Sequence, residues 1–274
     1  MIVDRKFEIE SPIRAFRSIA VGRFANKNRR SGALMEKTKT AIVTGASGGI
    51  GKAIVQAFLD RGYNIVANSL TVLHDEFTPA SNLALVEGDI GDHATAEKIA
   101  ATAISTFGSI DHVVNNAGIF KAKPFTEYSA KDFHSFVSTN LDGFIFVTQF
   151  AVKQMLSQGT GGSVTTITAA LAENPISGVP ASVPMITKGG LNAATLSLAS
   201  EYAKQGIRFN AIAPGVVDTP MHQNDDKSVL KSFNPMGALP EAKDVAEAVM
   251  YLTEARYVTG EVLHVDAGAH VGKW

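Results

Sequence analysis

From Lys37 onward the chain alternates between two hydrophobic rhythms. Short runs apolar at nearly every position are separated by longer stretches in which apolar residues recur every three or four places. The runs are TAIVTG (40–45), NIVAN (64–68), LALVEGD (83–89), DHVVNNAG (111–118), SVTTIT (163–168), IRFNAIAPG (207–215) and EVLHVDAG (261–268). Their β-branched content and length predict strands, and the first closes on a glycine. Between them the spacing predicts helices over 50–62, 94–106, 131–158, 185–204 and 243–254. In the first of these Ile50, Ile54, Ala57 and Phe58 share a face, and Gly62 is the stop signal.

Strands without a polar face must be covered on both sides, and helices between them supply the cover. With right-handed crossovers the expected architecture is α/β, a doubly wound parallel seven-stranded sheet in a single domain, residues 37–274. Its ligand crevice lies at the carboxyl ends of the strands. One long irregular stretch, 216–240, is expected to form a lid there, with Met221, Leu230, Phe233 and Met236 as an apolar wall.

Composition narrows the class. Hydrophobic residues make up 45% and charged ones 19%, which suits a compact core rather than a disordered chain. A net charge of −1 argues against nucleic acid as a partner. The chain has no cysteine, which excludes disulfides, thiolate catalysis and zinc–thiolate sites and suits a reducing, cytoplasmic setting. No apolar run reaches the roughly 18 residues of a membrane span. The seven histidines, 74, 93, 112, 134, 222, 264 and 270, form no pair at helical ligand spacing with a carboxylate, so no metal site is expected.

The charge is uneven. Residues 1–34 hold eight Lys or Arg against three acids, so residues 35–274 carry a net −6. The basic stretch reads as a tail, disordered or lying upstream of a start at Met35. The alternative is a transit peptide or anchoring arm, which its acids Asp4, Glu8 and Glu10 oppose.

TGASGGIG sets Gly45, Gly49 and Gly51 between the first strand and the first helix. Such a turn lets backbone approach a pyrophosphate at a helix N-terminus, whose free N–H groups and dipole favour anions. This spacing, with NNAG at 115–118, NAIAPGVVDTP at 210–220 and YVTGEVLHVDAG near the end, resembles the short-chain dehydrogenase/reductases. The resemblance runs from about Lys37 onward and implies a Rossmann fold. It places the diphosphate on Gly45, Ser47, Gly49, Ile50 and Gly51, with Asp89 and Ile90 flanking the adenine. Asn116, Ala117 and Gly118 would line the cofactor beyond the fourth strand. Pro214, Gly215, Val217 and Thr219 would hold the nicotinamide amide.

The end of the second strand decides between cofactors. An acid there would bond the ribose hydroxyls and repel a 2′-phosphate. Here Asn68 and Ser69 stand at that place, which favours NADP(H) over NAD(H). The basic residue that many NADP enzymes carry in the glycine loop is Gly48, and His74 is distant in sequence.

Carbonyl reduction also needs a hydrogen bond to the oxygen, a proton for it, and a group that tunes the donor. The family supplies a serine after the fifth strand, a YxxxK pair and a helix asparagine that organises a water. Asn140 and Lys188 match the asparagine and the lysine, and Lys188 would also hold the nicotinamide ribose. The serine position falls on Ala169 and the tyrosine position on Pro184, with no tyrosine between Tyr128 and Tyr202. Proline suits a helix first turn, with Ser182 as the expected N-cap. Other proton sources are Ser177, Ser182, Thr168, Thr187 and Glu173, or a water relayed through Lys188 and Asn140.

Two functions remain open. One is an NADP(H)-preferring oxidoreductase that exchanges hydride with a small carbonyl/alcohol by an altered proton route. The other is a catalytically inactive nucleotide-binding sensor or regulatory subunit. The resemblance also implies a homodimer or homotetramer built on the helices over 131–158 and 185–204.

Overall fold

Each predicted strand forms. A computed structural model describes residues 37–71 and 76–271. The basic N-terminal stretch and His74 lie outside the described residues. The strands are β1 (Thr40–Thr44), β2 (Asn64–Ser69), β3 (Leu83–Glu87), β4 (His112–Asn115), β5 (Gly162–Ile167), β6 (Ile207–Pro214) and β7 (Val262–Val265). They pair in the order β3-β2-β1-β4-β5-β6-β7, all parallel. Ile42 stands opposite Val66 on one side and Val113 on the other.

Two hydrophobic layers cover this sheet. On one face α1 (Gly49–Asp60) and α7 (Ala242–Glu254) bring Ile54, Val55, Phe58, Val245, Val249 and Met250 against β1 and β2. On the other, α2 (His93–Phe107) and the long helices after β4 and β5 bury Ile99, Val147, Met155 and Ala199 with Ile42 and Phe209. Burying a large aliphatic side chain contributes roughly 1.5–3 kcal/mol each, so these layers carry most of the stability. The order reverses between β1 and β4, and the crevice opens there.

The helix predicted over 131–158 is three segments in one rod. These are α3 (Ala130–Phe136), a π-helical turn (Val137–Asp142) and α4 (Gly143–Gln158). The Ser129–Asp132 capping box starts it, and a left-handed Gly159 stops it. The wide turn contains Asn140, and such turns are frequent at functional sites.

Helix α5 (Ser182–Tyr202) begins three residues earlier than the periodicity predicts. Ser182 is its first helical residue and exposed, while Ala181 stands at the cap without a side-chain bond. The expected serine cap is therefore absent: Met185 N–H already bonds to Ala181 O at 3.1 Å, which sets the helix start one residue upstream. Pro184 is the third helical residue, where an N–H would have no intrahelical partner, so the proline breaks no bond.

The 216–240 stretch is more ordered than expected. It holds a 3₁₀ turn (Pro220–His222) and α6 (Lys227–Ser232), whose Asp226 cap accepts from Ser228 N–H at 2.8 Å. No helix among the described residues is long and apolar enough to cross a membrane.

Candidate active site

The site starts from a clamp between two strand ends. Thr44 Oγ1 accepts the N–H groups of Asn116 and Ala117 at 3.1 and 3.0 Å. In return Asn116 Nδ2 donates to the carbonyls of Thr44 and Gly45, each at 3.0 Å. Backbones this close leave no room for side chains. A Cβ on Gly45, whose φ is +67°, would sit 2.8 Å from Ala117 Cα, and one on Gly51 would sit 2.1 Å from Gly45 O. No side chain caps α1, so its first N–H groups stay free.

Around this clamp lies a cleft of about 900 Å³. All sixteen positions expected to meet a cofactor line it: the glycine turn, Ser69, Asp89, Ile90, Asn116 to Gly118, Lys188, Pro214, Gly215, Val217 and Thr219. Asn68 is buried beside them, and its Nδ2 donates to Val86 O and Gly88 O at 3.0 and 3.2 Å, tying β2 to β3.

Lys188 reaches the cleft from the second turn of α5. Its Nζ donates to Ile167 O at 2.7 Å and packs over Gly118. Among the described residues no carboxylate pairs with it. Desolvation, with no opposing charge, lowers its pKa to about 8.

Asn140 is only 2% exposed and does not line the cleft. Its Oδ1 accepts from Ile119 N–H at 2.9 Å, and its Nδ2 donates to Ile119 O at 3.2 Å and Thr187 Oγ1 at 3.0 Å. It therefore joins the β4 loop to α5.

The remaining sequence-derived proton donors are engaged or distant. Thr187 Oγ1 donates to Pro184 O at 2.7 Å, and Thr168 Oγ1 to Ile212 O at 3.1 Å. Ser177 and Ser182 are exposed and do not border the cleft. Glu173 also stands outside it, accepting from Asn192 Nδ2 at 2.7 Å. Ala169 lines the cleft, and Pro184 is buried and does not line it.

Met221, Leu230 and Phe233 join the lining as the expected apolar wall, together with Ile176, Val179 and Met185. Met236 does not join it: the side chain is 76% exposed, because Gly237 turns the chain away at φ +62°. Sequence reasoning missed another lining group, His222. Its Nδ1 lies 2.7 Å from Asp225 Oδ2, three residues on. The turn that follows, closed by Asp225 N–H on His222 O at 3.2 Å, brings the two side chains together, and a search for pairs of histidine ligands passes it by.

Residues 45–270 match the family model described as enoyl-(acyl carrier protein) reductase. A tropinone reductase homologue of Arabidopsis thaliana is 37% identical over 243 residues, covering 84% of this chain and 92% of the relative. The solved structure of ElxO with NADP bound superposes with a TM-score of 0.80 at 27% identity, over 86% of this chain and all of that one. The 3-ketoacyl-(acyl-carrier-protein) reductase from Brucella melitensis complexed with NADH gives 0.79 at 27%, over 85% and 98% of the two chains. With this fold, this glycine clamp and these relatives, the chain belongs to the short-chain dehydrogenase/reductase family.

Proposed function

We propose that this protein is a nicotinamide-dependent oxidoreductase that exchanges hydride with a small carbonyl or alcohol, and that it prefers NADP(H). The observation that carries the reading is the convergence of sixteen expected cofactor positions, Lys188 among them and drawn from separate loops, on one cleft. The space a Cβ would fill at Gly45 and Gly51 is kept empty, as a dinucleotide backbone requires. When bound, the cofactor supplies or accepts the hydride.

The chain's own groups do the rest. The uncapped N-terminus of α1 favours a diphosphate. Ser69 faces the cleft without a carboxylate that would repel a 2′-phosphate. Lys188 adds a half-buried positive charge for the nicotinamide ribose, and Asn140 positions it through Thr187. The 216–240 stretch acts as the lid, its apolar wall excluding water from a hydrophobic substrate body. Exposed Ile145 and Leu156 on α4, with Ile186 and Leu196 on α5, support a homodimer or homotetramer built on these helices.

Ala169 and Pro184 stand where the family resemblance expects a serine and a tyrosine, so the proton takes a different route. They also support a second reading, a nucleotide-binding sensor or regulatory subunit without turnover. Two measurements separate the readings. Calorimetric titration with NADPH and NADH should give binding, tighter for NADPH; binding of neither sinks both readings. A panel of carbonyls with NADPH, and of alcohols with NADP⁺, should yield at least one turned-over compound. A blank panel alongside tight NADPH binding leaves the sensor reading.

A further inference from the structure

We propose that His222, oriented by Asp225, is the proton-transfer residue of this site. The inference rests on the oxidoreductase reading and deepens it. Two general requirements define the missing part: a side chain bordering the substrate space, and a proton it can exchange at neutral pH. The described donors near Lys188 do not meet both. Thr168 and Thr187 donate their hydroxyl protons to carbonyls, and both N–H donors of Asn140 are taken. Lys188 is anchored on Ile167 O.

His222 meets both. It lines the cleft beside Met221, and imidazole is the side chain that exchanges a proton around neutrality. Its Nδ1 is held by Asp225 at 2.7 Å, which leaves Nε2 as the exchanging position and gives the imidazolium a counter-charge. The pairing is built locally: Asp225 N–H bonds to His222 O at 3.2 Å, and His222 N–H to Thr219 O at 2.9 Å. Thr219 in turn packs on the glycine turn, 3.4 Å from where a Gly49 Cβ would be. The backbone of His222 is thus tied through Thr219 to the glycine turn, and its side chain is 23% exposed.

Other charges do not compete for it. Asp226 accepts from Ser228, and Asp218 pairs with Lys227 at 2.9 Å. The remaining charged groups lining the cleft are Asp89 and Lys188, on the far elements. In the reduction, the carbonyl carbon gains the hydride of the reduced nicotinamide dinucleotide as the C=O π bond breaks. The oxygen takes the Nε2 proton, the product is an alcohol, and the neutral imidazole regains a proton from water. Oxidation runs the same steps backwards.

The test uses the full chain, NADPH and a carbonyl that wild type reduces. His222→Gln should lower kcat by roughly 10²–10⁴-fold, the usual contribution of a general acid. NADPH affinity should stay within about threefold, since the residue is assigned to the proton and not to the cofactor. The pH limb of wild-type kcat should vanish in that variant, and millimolar imidazole should restore turnover to His222→Ala. Asp225→Asn should lose less. If His222→Gln keeps wild-type kcat and the same pH limb, or if its loss is explained wholly by weaker NADPH binding, the assignment is overturned while the oxidoreductase reading stands. If wild type itself turns over nothing, the oxidoreductase reading fails first, without any variant.

Discussion

Asn140 Nδ2 donates to Thr187 Oγ1 at 3.0 Å, and the next residue along α5 is Lys188. The bond joins the π-helical turn to the helix that carries the cation, and Asn140 also grips both backbone polar groups of Ile119. One buried amide thus sets the relative position of the β4 loop and Lys188.

Replacing it tests that role. Asn140→Leu leaves the Ile119 N–H without its acceptor, and an unsatisfied buried group costs about 1–3 kcal/mol. The expected outcome is a loss of roughly 2–4 kcal/mol in urea unfolding, together with weaker NADPH binding. Thr187→Val removes one acceptor and should cost less. An Asn140→Leu protein as stable as wild type would contradict the role.

Lys188 makes stability depend on pH in a direction that can be worked out. Its pKa is lowered from 10.5 to about 8 in the folded chain, so between those values the unfolded chain binds more protons. Stability then rises with pH across that window. Below pH 8 both states are protonated and the folded chain bears the full desolvation penalty, up to roughly 3 kcal/mol. Chemical denaturation without cofactor should show this rise from pH 8 to 10, and Lys188→Met should remove it. Lys188→Met should also be the more stable protein at pH 7 while binding NADPH less well.

The glycine clamp gives a sharper steric prediction. A methyl on Gly51 would meet Gly45 O and Asn116 Nδ2 at 2.1 and 2.6 Å, and neither atom can yield without breaking the bond between them. Gly51→Ala should cost about 1–3 kcal/mol, the usual range for overpacking, and abolish NADPH binding. Gly48→Ala is the control. Nothing lies within 4 Å of its added methyl and its φ is −177°, so the fold should tolerate it.

How much of this was legible in the sequence depends on the range of the interaction. Strands such as TAIVT carry their signal in five consecutive residues, and the glycine turn in eight. Right-handed crossovers narrow the possible sheet orders, and the fold selects the one observed. Thr168 and Thr187 look like free hydroxyls in sequence, because their acceptors Ile212 O and Pro184 O are set by the fold. Asn140 matches by neighbouring residues, yet its three bonds depend on a π turn that periodicity reads as plain helix. The His222–Asp225 spacing is local, but only the fold places the pair on the cleft wall.

The proposed preference for NADP(H) rests on one position. Ser69 lines the cleft at the end of β2, next to Asn68, whose side chain is engaged with β3. In the proposed reading an aspartate at 69 would face the ribose and oppose a phosphate there. Ser69→Asp should shift the NADPH/NADH affinity ratio by roughly 10–100-fold towards NADH, the effect of a like charge close by at intermediate dielectric. Calorimetry with both cofactors reads the ratio directly. An unchanged ratio would place the 2′-position elsewhere.

Ala169→Ser with Pro184→Tyr would install the serine and tyrosine that the family resemblance expects at these two positions. Pro184 carries no N–H and is in the first turn of α5, so a tyrosine there restores a donor without disturbing an existing bond. Ala169 lines the cleft, and a serine adds only one oxygen facing it. Lys188 follows four residues after position 184, and its positive charge would lower the pKa of a nearby phenol. Ala169→Ser with Pro184→Tyr should therefore raise turnover of a carbonyl the wild type reduces slowly, by up to roughly 10²-fold, the lower range for general acid catalysis. The doubly substituted chain should also cease to need His222, so adding His222→Gln to it should leave most of the activity. If that added substitution abolishes turnover, the imidazole contributes more than a proton. If the double variant gains nothing while still binding NADPH, the substrate carbonyl does not sit against Ala169, and the active end of the cleft lies nearer to Met221.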